Sequence, residues 1–466
     1  ILRVKPDGVT GSGWGDSWAT ACRLQTALST AQAGAEIWVA SGVYTPGTTV
    51  TATFNLTAGV ALYGGFPDTG DPGWDDRDCT TNFTVLSGDI DDNDITDPNS
   101  VVTTTNNISG SNAYHVVTAD GTSDTPITET TVLDGFTITA GQTSYLSNGG
   151  GLYCGASGNG SVCSPTLTNV IFSGNWADNS GGAMYNYGAE GGSSSPTLTN
   201  VTFTNNRASG GGAMYNSGRD GGSSSPTLTN VSFFGNKVLT HKWFGASGGA
   251  MLNSAYNGGA SNPMLTNVSF SGNTATGSGG AMANYGYDDG TCSPSLTNVT
   301  FFGNGAGYDG GAMINVASED SETSPRLINV AFSGNSAFSG GAMYNSGRLR
   351  GISNPHLINV SFSANSATDG GAMFNTTYDT TSGISHPVLT NTLLWGNTAS
   401  RNGSQIYNRN RANPVIGYSL IEGGVTGPGI YNKDQSSVTD SGGNISGDPL
   451  FVDSDGLDNT SGTVDD

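Results

Sequence analysis

Carboxylates are the residues best able to do chemistry in this chain, and two strings of them stand out. Asp453, Asp455 and Asp458, in the run DSDGLD, alternate oxygen donors around a turn glycine, the spacing on which a Ca²⁺ loop draws. Asp89, Asp91, Asp92, Asp94 and Asp97 crowd a second loop, in which Asp89, Asp91 and Asp94 form a weaker calcium candidate. A solvated acidic loop competes with the metal reading in both places. The remaining acids of interest, Asp178, Asp309 and Asp369, stand singly, and the four histidines (His115, His241, His356, His386) are scattered, so no acid–base dyad emerges. Among five cysteines, Cys154 and Cys163 bracket the short run GASGNGSV and are spaced for a local disulfide, which suits an oxidising compartment. Cys22 and Cys79 could pair across the N-terminal region, which would leave Cys292 over as a free thiol or an intermolecular link; no CxxC spacing points to zinc.

Acidic residues outnumber basic ones 37 to 15, a formal charge of −22. Such a field repels nucleic acid and anionic lipid and attracts divalent cations or basic partners. No run of 18 apolar residues is present, hence no helix is expected to span a membrane. The chain opens at Ile1 without a charged and apolar leader, which reads as an exported product after processing.

What positions these residues is a repeat. From Ser164 the text runs SPTLTNVIFSGN, a short loop, GGAMYN and a second loop, and its proline recurs at Pro165, Pro196, Pro226, Pro263, Pro294, Pro325, Pro355 and Pro387. In Val170-Ile171-Phe172 the Val and Phe side chains lie two apart and share a face, with Ser or Thr usually between them in later copies. Paired glycines, prolines and β-branched residues disfavour helix. Three short strands per turn (PTLT, VxF and GGAM), each stacked on the next turn, give an all-β, right-handed parallel β-helix, or solenoid. Stacking makes columns: Leu from Leu167 to Leu389, Phe from Phe172 to Phe362 closed by Leu394, and Met from Met184 to Met373 continued by Ile406. Asparagine columns begin at Asn169, Asn175 and Asn186, where an amide can bond its counterpart one turn away. Gly181-Gly182 and its equivalents supply positive φ or close approach between turns.

Three stretches follow: 1–130, an N-terminal cap and irregular opening turns; 131–413, regular turns of about 31 residues; and 414–466, closing turns and an acidic tail. A helix starting near Asp16 or Ser17, with Ala21, Leu24, Leu28 and Ala31 on one face, is expected to cap the first turn. No matching cap is evident at the other end, which predicts head-to-tail self-association into a filament or a natural continuation beyond Asp466.

The pairing of GGA-plus-apolar (Gly182-Ala183-Met184) with F-x-x-N (Phe172 to Asn175, Phe203 to Asn206, Phe270 to Asn273) resembles the repeat of the chlamydial polymorphic outer-membrane proteins. The opening DSWATACRLQTAL, AEIWVASGVYTP and VALYGGF and the closing GDPLFVD are similar to a wider group of bacterial β-helix surface proteins. The resemblance implies a secreted, cell-surface, non-catalytic adhesin or structural protein that engages surface glycans, proteins or itself. A polysaccharide lyase or glycoside hydrolase on the same fold is the alternative, and it requires gathered carboxylates that the repeats do not supply. Candidate contact residues are the stripe following Met (Tyr185, Tyr215, Tyr344, Phe374) and Trp243 and Phe244 in an insertion within the third copy.

Overall fold

In the computed structural model, residues 1–9, 15–144, 147–239, 246–378 and 382–450 are described. The chain is an all-β parallel solenoid. It divides into two units, Ile1–Ala208 with Gly212–Asn216 and Gly222–Ser232, and Phe233–Asp466 with Ser209–Gly211 and Ser217–Gly221.

The second unit shows the regular turn most plainly. Arg326–Ser333 forms the first face, Ser336–Ser339 the second and Met343–Arg348 the third. Each pairs in parallel and in register with its counterpart one turn on, so that Leu327 meets Leu357, Phe332 meets Phe362, and Met343 meets Met373. Val330 and Phe332 point inward two apart, as the period of two requires, and Leu327 also points inward because the left-handed Asn329 turns the chain between Leu327 and Val330. The interior is therefore a set of columns. The rings of Phe233, Phe270, Phe301, Phe332 and Phe362 stack with centroids 4.7–4.8 Å apart and planes within 5° of parallel. That separation is the strand spacing itself, so the backbone ladder and the ring stack enforce one another.

The third strand begins at Met, not at the glycines before it. The pair Gly340-Gly341 instead makes the corner, and each member does a separate job. Gly340 takes φ +65°, while a Cβ on Gly341 would lie 2.2 Å from the carbonyl oxygen of Gly371 on the next turn.

Amide ladders line three positions. The first is exposed and left-handed: Asn298, Asn329 and Asn359 all have φ near +55°, and Asn329 donates to Asn298 at 3.1 Å. The other two are buried, apart from Asn432 at the end of the third. From Asn236 through Asn273, Asn304, Asn335 and Asn365 to Asn397, each side chain donates forward to the next Oδ1, which also accepts the earlier residue's backbone N–H. The same Nδ2 group reaches back to a phenylalanine carbonyl, so the buried amide is fully used. Asn397 ends this ladder on Gln405, which passes to Glu422. The third ladder runs Asn253, Asn284, Asn315, Asn345, Asn375, Asn408, Asn432 at 2.8–2.9 Å.

In the first unit the columns reach further back than the repeat text does. Ile37, Leu62, Leu133, Leu167 and Leu198 form one buried line through successive pairings, and Leu86, Ile138, Phe172 and Phe203 another. The opening turns are thus the same coil with longer loops. His115 stands just before the strand Val117–Asp120, and its ring nitrogen lies 2.8 Å from the Gly149 carbonyl. The N-terminal helix is shorter than its apolar spacing implied: a 3₁₀ turn at Trp18–Thr20, then extended Ala21-Cys22, then Leu24–Thr30. Cys22 is drawn into bridges with Val4 and Val9, which breaks the helix there. The remaining seven residues bury Leu24, Ala27 and Leu28 against Leu2–Val9 and Phe54–Asn55.

Candidate binding groove

The corner between the second and third faces of the second unit carries a groove of about 800 Å³. Tyr308 and Phe338 precede Gly310 and Gly340 and stand on adjacent turns, since Asp309 and Ser339 pair directly. Both rings are largely in solvent, 64% and 52% exposed, and so is Tyr378 at 70%. The guanidinium of Arg348 lies 4.5 Å from the Tyr378 ring centroid and holds it in place. The floor is Tyr344 and Phe374, whose rings stack at 5.1 Å and are only 7% and 6% exposed. Hydroxyls of Ser278, Ser339 and Thr376, the Asn410 amide and the Arg409 side chain complete the lining.

One carboxylate enters this lining. Asp309 accepts a hydrogen bond from Ser339, and burial pushes its carboxyl above the ordinary range against that bond and the attraction of Arg348. Asp369, two turns along the same column, is bound to Arg401 on both oxygens and to Asn402 at 3.3 Å. The two acids have separate partners and do not form a pair.

The stripe after Met is a packed ladder at both ends. In the first unit Tyr153, Tyr185 and Tyr215 stack at 5.7 and 5.3 Å; in the second, Tyr344, Phe374, Tyr407 and Tyr431 stack at 4.6–5.2 Å. Tyr185 is 9% exposed and Tyr215 is half-buried, so these rings support the coil, and only Tyr344 and Phe374 border the groove. Trp243 and Phe244 lie outside the described residues, as do Asp453, Asp455 and Asp458.

In the first acidic loop the carboxylates are turned onto the chain itself. Asp89 accepts the backbone N–H groups of Asn93 and Asp94, and Asp91 accepts that of Ser111. Asp94 accepts from Ser109 and from the Asn112 amide, while burial holds its carboxyl above the usual range. Among the described residues no cluster of three or more metal-ligating side chains occurs.

Cys154 and Cys163 form a disulfide with Cα atoms 5.7 Å apart. Cys154 occupies the column position that Asn186 takes one turn later, so the covalent bond stands where the amide ladder begins. Cys22 and Cys79 do not pair. Cys22 packs beside Gly15 near the first strand, and Cys79 lies against Gly65 and Gly135. Cys292 belongs to a column the repeat text contains but the reading of it missed: the residue two before each proline is Cys163, Ser194, Ser224, Ser261, Cys292, Thr323, Ser353 or Ser385. All are fully buried, and Ser353 and Ser385 donate to the carbonyls of Asn315 and Asn345, as the Cys292 thiol does to Asn253 at 3.5 Å. Cys292 is a serine replacement, and burial raises its thiol pKa. The following column explains His386, whose Nδ1 accepts the Asn413 backbone N–H at 3.0 Å, as Ser293 and Ser324 accept in their turns.

The fold and this inventory define a parallel β-solenoid whose side-chain uniformity is spent on internal ladders. The profile of the Chlamydia polymorphic membrane protein repeat matches residues 200–217 and 267–281, so those two stretches are similar to that repeat. Both matches cover the inward Val and Phe of the first face and the glycine corner. No curated protein and no solved structure matches the chain.

Proposed function

We propose that this chain is a non-catalytic, extracellular β-solenoid displayed at a cell surface, where it acts as a structural and adhesive element. The observation that carries the reading is the repeat: the stretches that match a membrane-protein repeat family are those that build the turn. The disulfide at Cys154–Cys163 supports an oxidising location. The separate commitments of Asp309 and Asp369 support a binding role over lyase or hydrolase chemistry, which gathers its carboxylates about one bond.

Protease treatment of intact producing cells tests this. The solenoid should be released or trimmed while cytoplasmic markers remain whole. Full protection until the cells are lysed would overturn the surface assignment.

A further inference from the structure

We propose that the groove of the second unit binds a neutral oligosaccharide. Its walls gather three exposed aromatic rings, Tyr308, Phe338 and Tyr378, about one groove. An aromatic ring left in water beside a polar floor suits a ligand with one apolar face and hydroxyl-bearing edges, and a pyranose is such a body. Tyr308 and Phe338 sit on adjacent turns, about 4.8 Å apart along the stack, so two successive sugar rings laid along the corner each meet an aromatic ring. The volume of about 800 Å³ lies within the range of small-molecule clefts and holds a few sugar rings.

Charge selects the kind of sugar. Within the lining, Asp309 and Arg409 are opposite in sign, and the chain as a whole carries −22. Sulfated or uronic acid polymers are repelled by that field, whereas a neutral chain is not. Ser339 and Thr376, whose hydroxyl protons go to Asp309 and to the Thr377 carbonyl, present lone pairs, while the Ser278 hydroxyl and the Asn410 amide can donate, which matches the mixed character of sugar hydroxyls. Tyr344 and Phe374 stack beneath as the floor, and the Arg348 guanidinium lies over the Tyr378 ring of the wall.

The proposal rests on the adhesive reading, in that the groove holds its sugar without cutting it. An array of neutral and acidic glycans probed with the full chain, followed by calorimetry with the neutral oligosaccharide best retained, tests it. Tyr308→Ala and Phe338→Ala remove exposed rings and leave the columns intact; Phe234→Ala removes an exposed ring outside the groove lining and is the control. The expected result is retention of neutral glycans, with each groove substitution weakening binding roughly threefold to tenfold and Phe234→Ala leaving it unchanged. Retention of no neutral glycan overturns the proposal, as do a preference for acidic polymers and groove variants that bind like the parent. A concentration-dependent dimer lost in the same two variants also overturns it, because a second copy is then the occupant. Mass analysis of the recovered oligosaccharide separates this proposal from the reading beneath it. An intact chain supports both, whereas a shortened one overturns the non-catalytic function and leaves the groove assignment standing.

Discussion

Replacing Asn315 with Leu isolates what a buried amide ladder contributes. Asn315 is fully buried, donates to Asn345 and accepts from Asn284, both at 2.8 Å. Leucine fills a similar volume and keeps water out, so the Asn284 Nδ2 group and the Asn345 Oδ1 atom are left without partners. Each orphaned buried group costs about 1–3 kcal/mol, giving roughly 2–6 kcal/mol for the substitution. Asn329→Gly is the matched control. That position is exposed, sits at φ +55°, and its bond to Asn298 exchanges for water, so glycine costs well under ~1 kcal/mol there. Because each turn of a solenoid contacts its neighbours only, the loss should be local. Denaturant titration monitored by circular dichroism gives the total, and hydrogen exchange over Met313–Ser318 gives the locality. Equal stabilities for the two variants, or a leucine variant as stable as the parent, would refute the ladder as a stabilising element.

Phe270→Asp places a charge inside the ring stack and should lower stability by several kcal/mol, about the scale of an unpaired buried charge; thermal melting checks it, and an unshifted curve contradicts the inward assignment. Reduction of Cys154–Cys163, which closes a short loop, should cost about 2–3 kcal/mol in the loop-entropy account, read as a lower melting temperature in reductant. Cys292→Ser should be tolerated because serine is the usual occupant of that column, whereas Cys292→Asp should not; native Cys292 should resist alkylation until the chain is unfolded. Burial lowers the pKa of His115, so the unfolded chain binds more protons as pH falls through the ordinary histidine range. Its contribution to stability should be full above that range and lost on acidification down to the depressed folded value, and His115→Gln should flatten that part of the pH profile.

The regular turns were legible because each inward position is repeated in type, so Leu167, Phe172 and Met184 could be placed on faces from spacing alone. The opening turns were less so. Ile37, Leu62 and Leu133 belong to the same column, but loops of unequal length hide the period. The helix boundary failed because Cys22 bonds to strands distant in the text, which spacing within a helix cannot reveal. The serine column was visible in every copy and was missed because small polar residues before a proline read as a turn. The groove was half legible. Tyr344 and Phe374 stood out by following Met, while Tyr308 and Phe338 vary from copy to copy at the position two before the glycine pair. A position that changes while its neighbours repeat is the signal that would have found them.

The most direct test of a non-catalytic adhesive solenoid is co-sedimentation of the chain with insoluble polysaccharides, with the supernatant assayed for new reducing ends and unsaturated uronides. The account predicts protein in the pellet and a supernatant that gains neither product over time. Steady release of either product, abolished by substitution of Asp309 or Asp369, would contradict it and make this chain an enzyme.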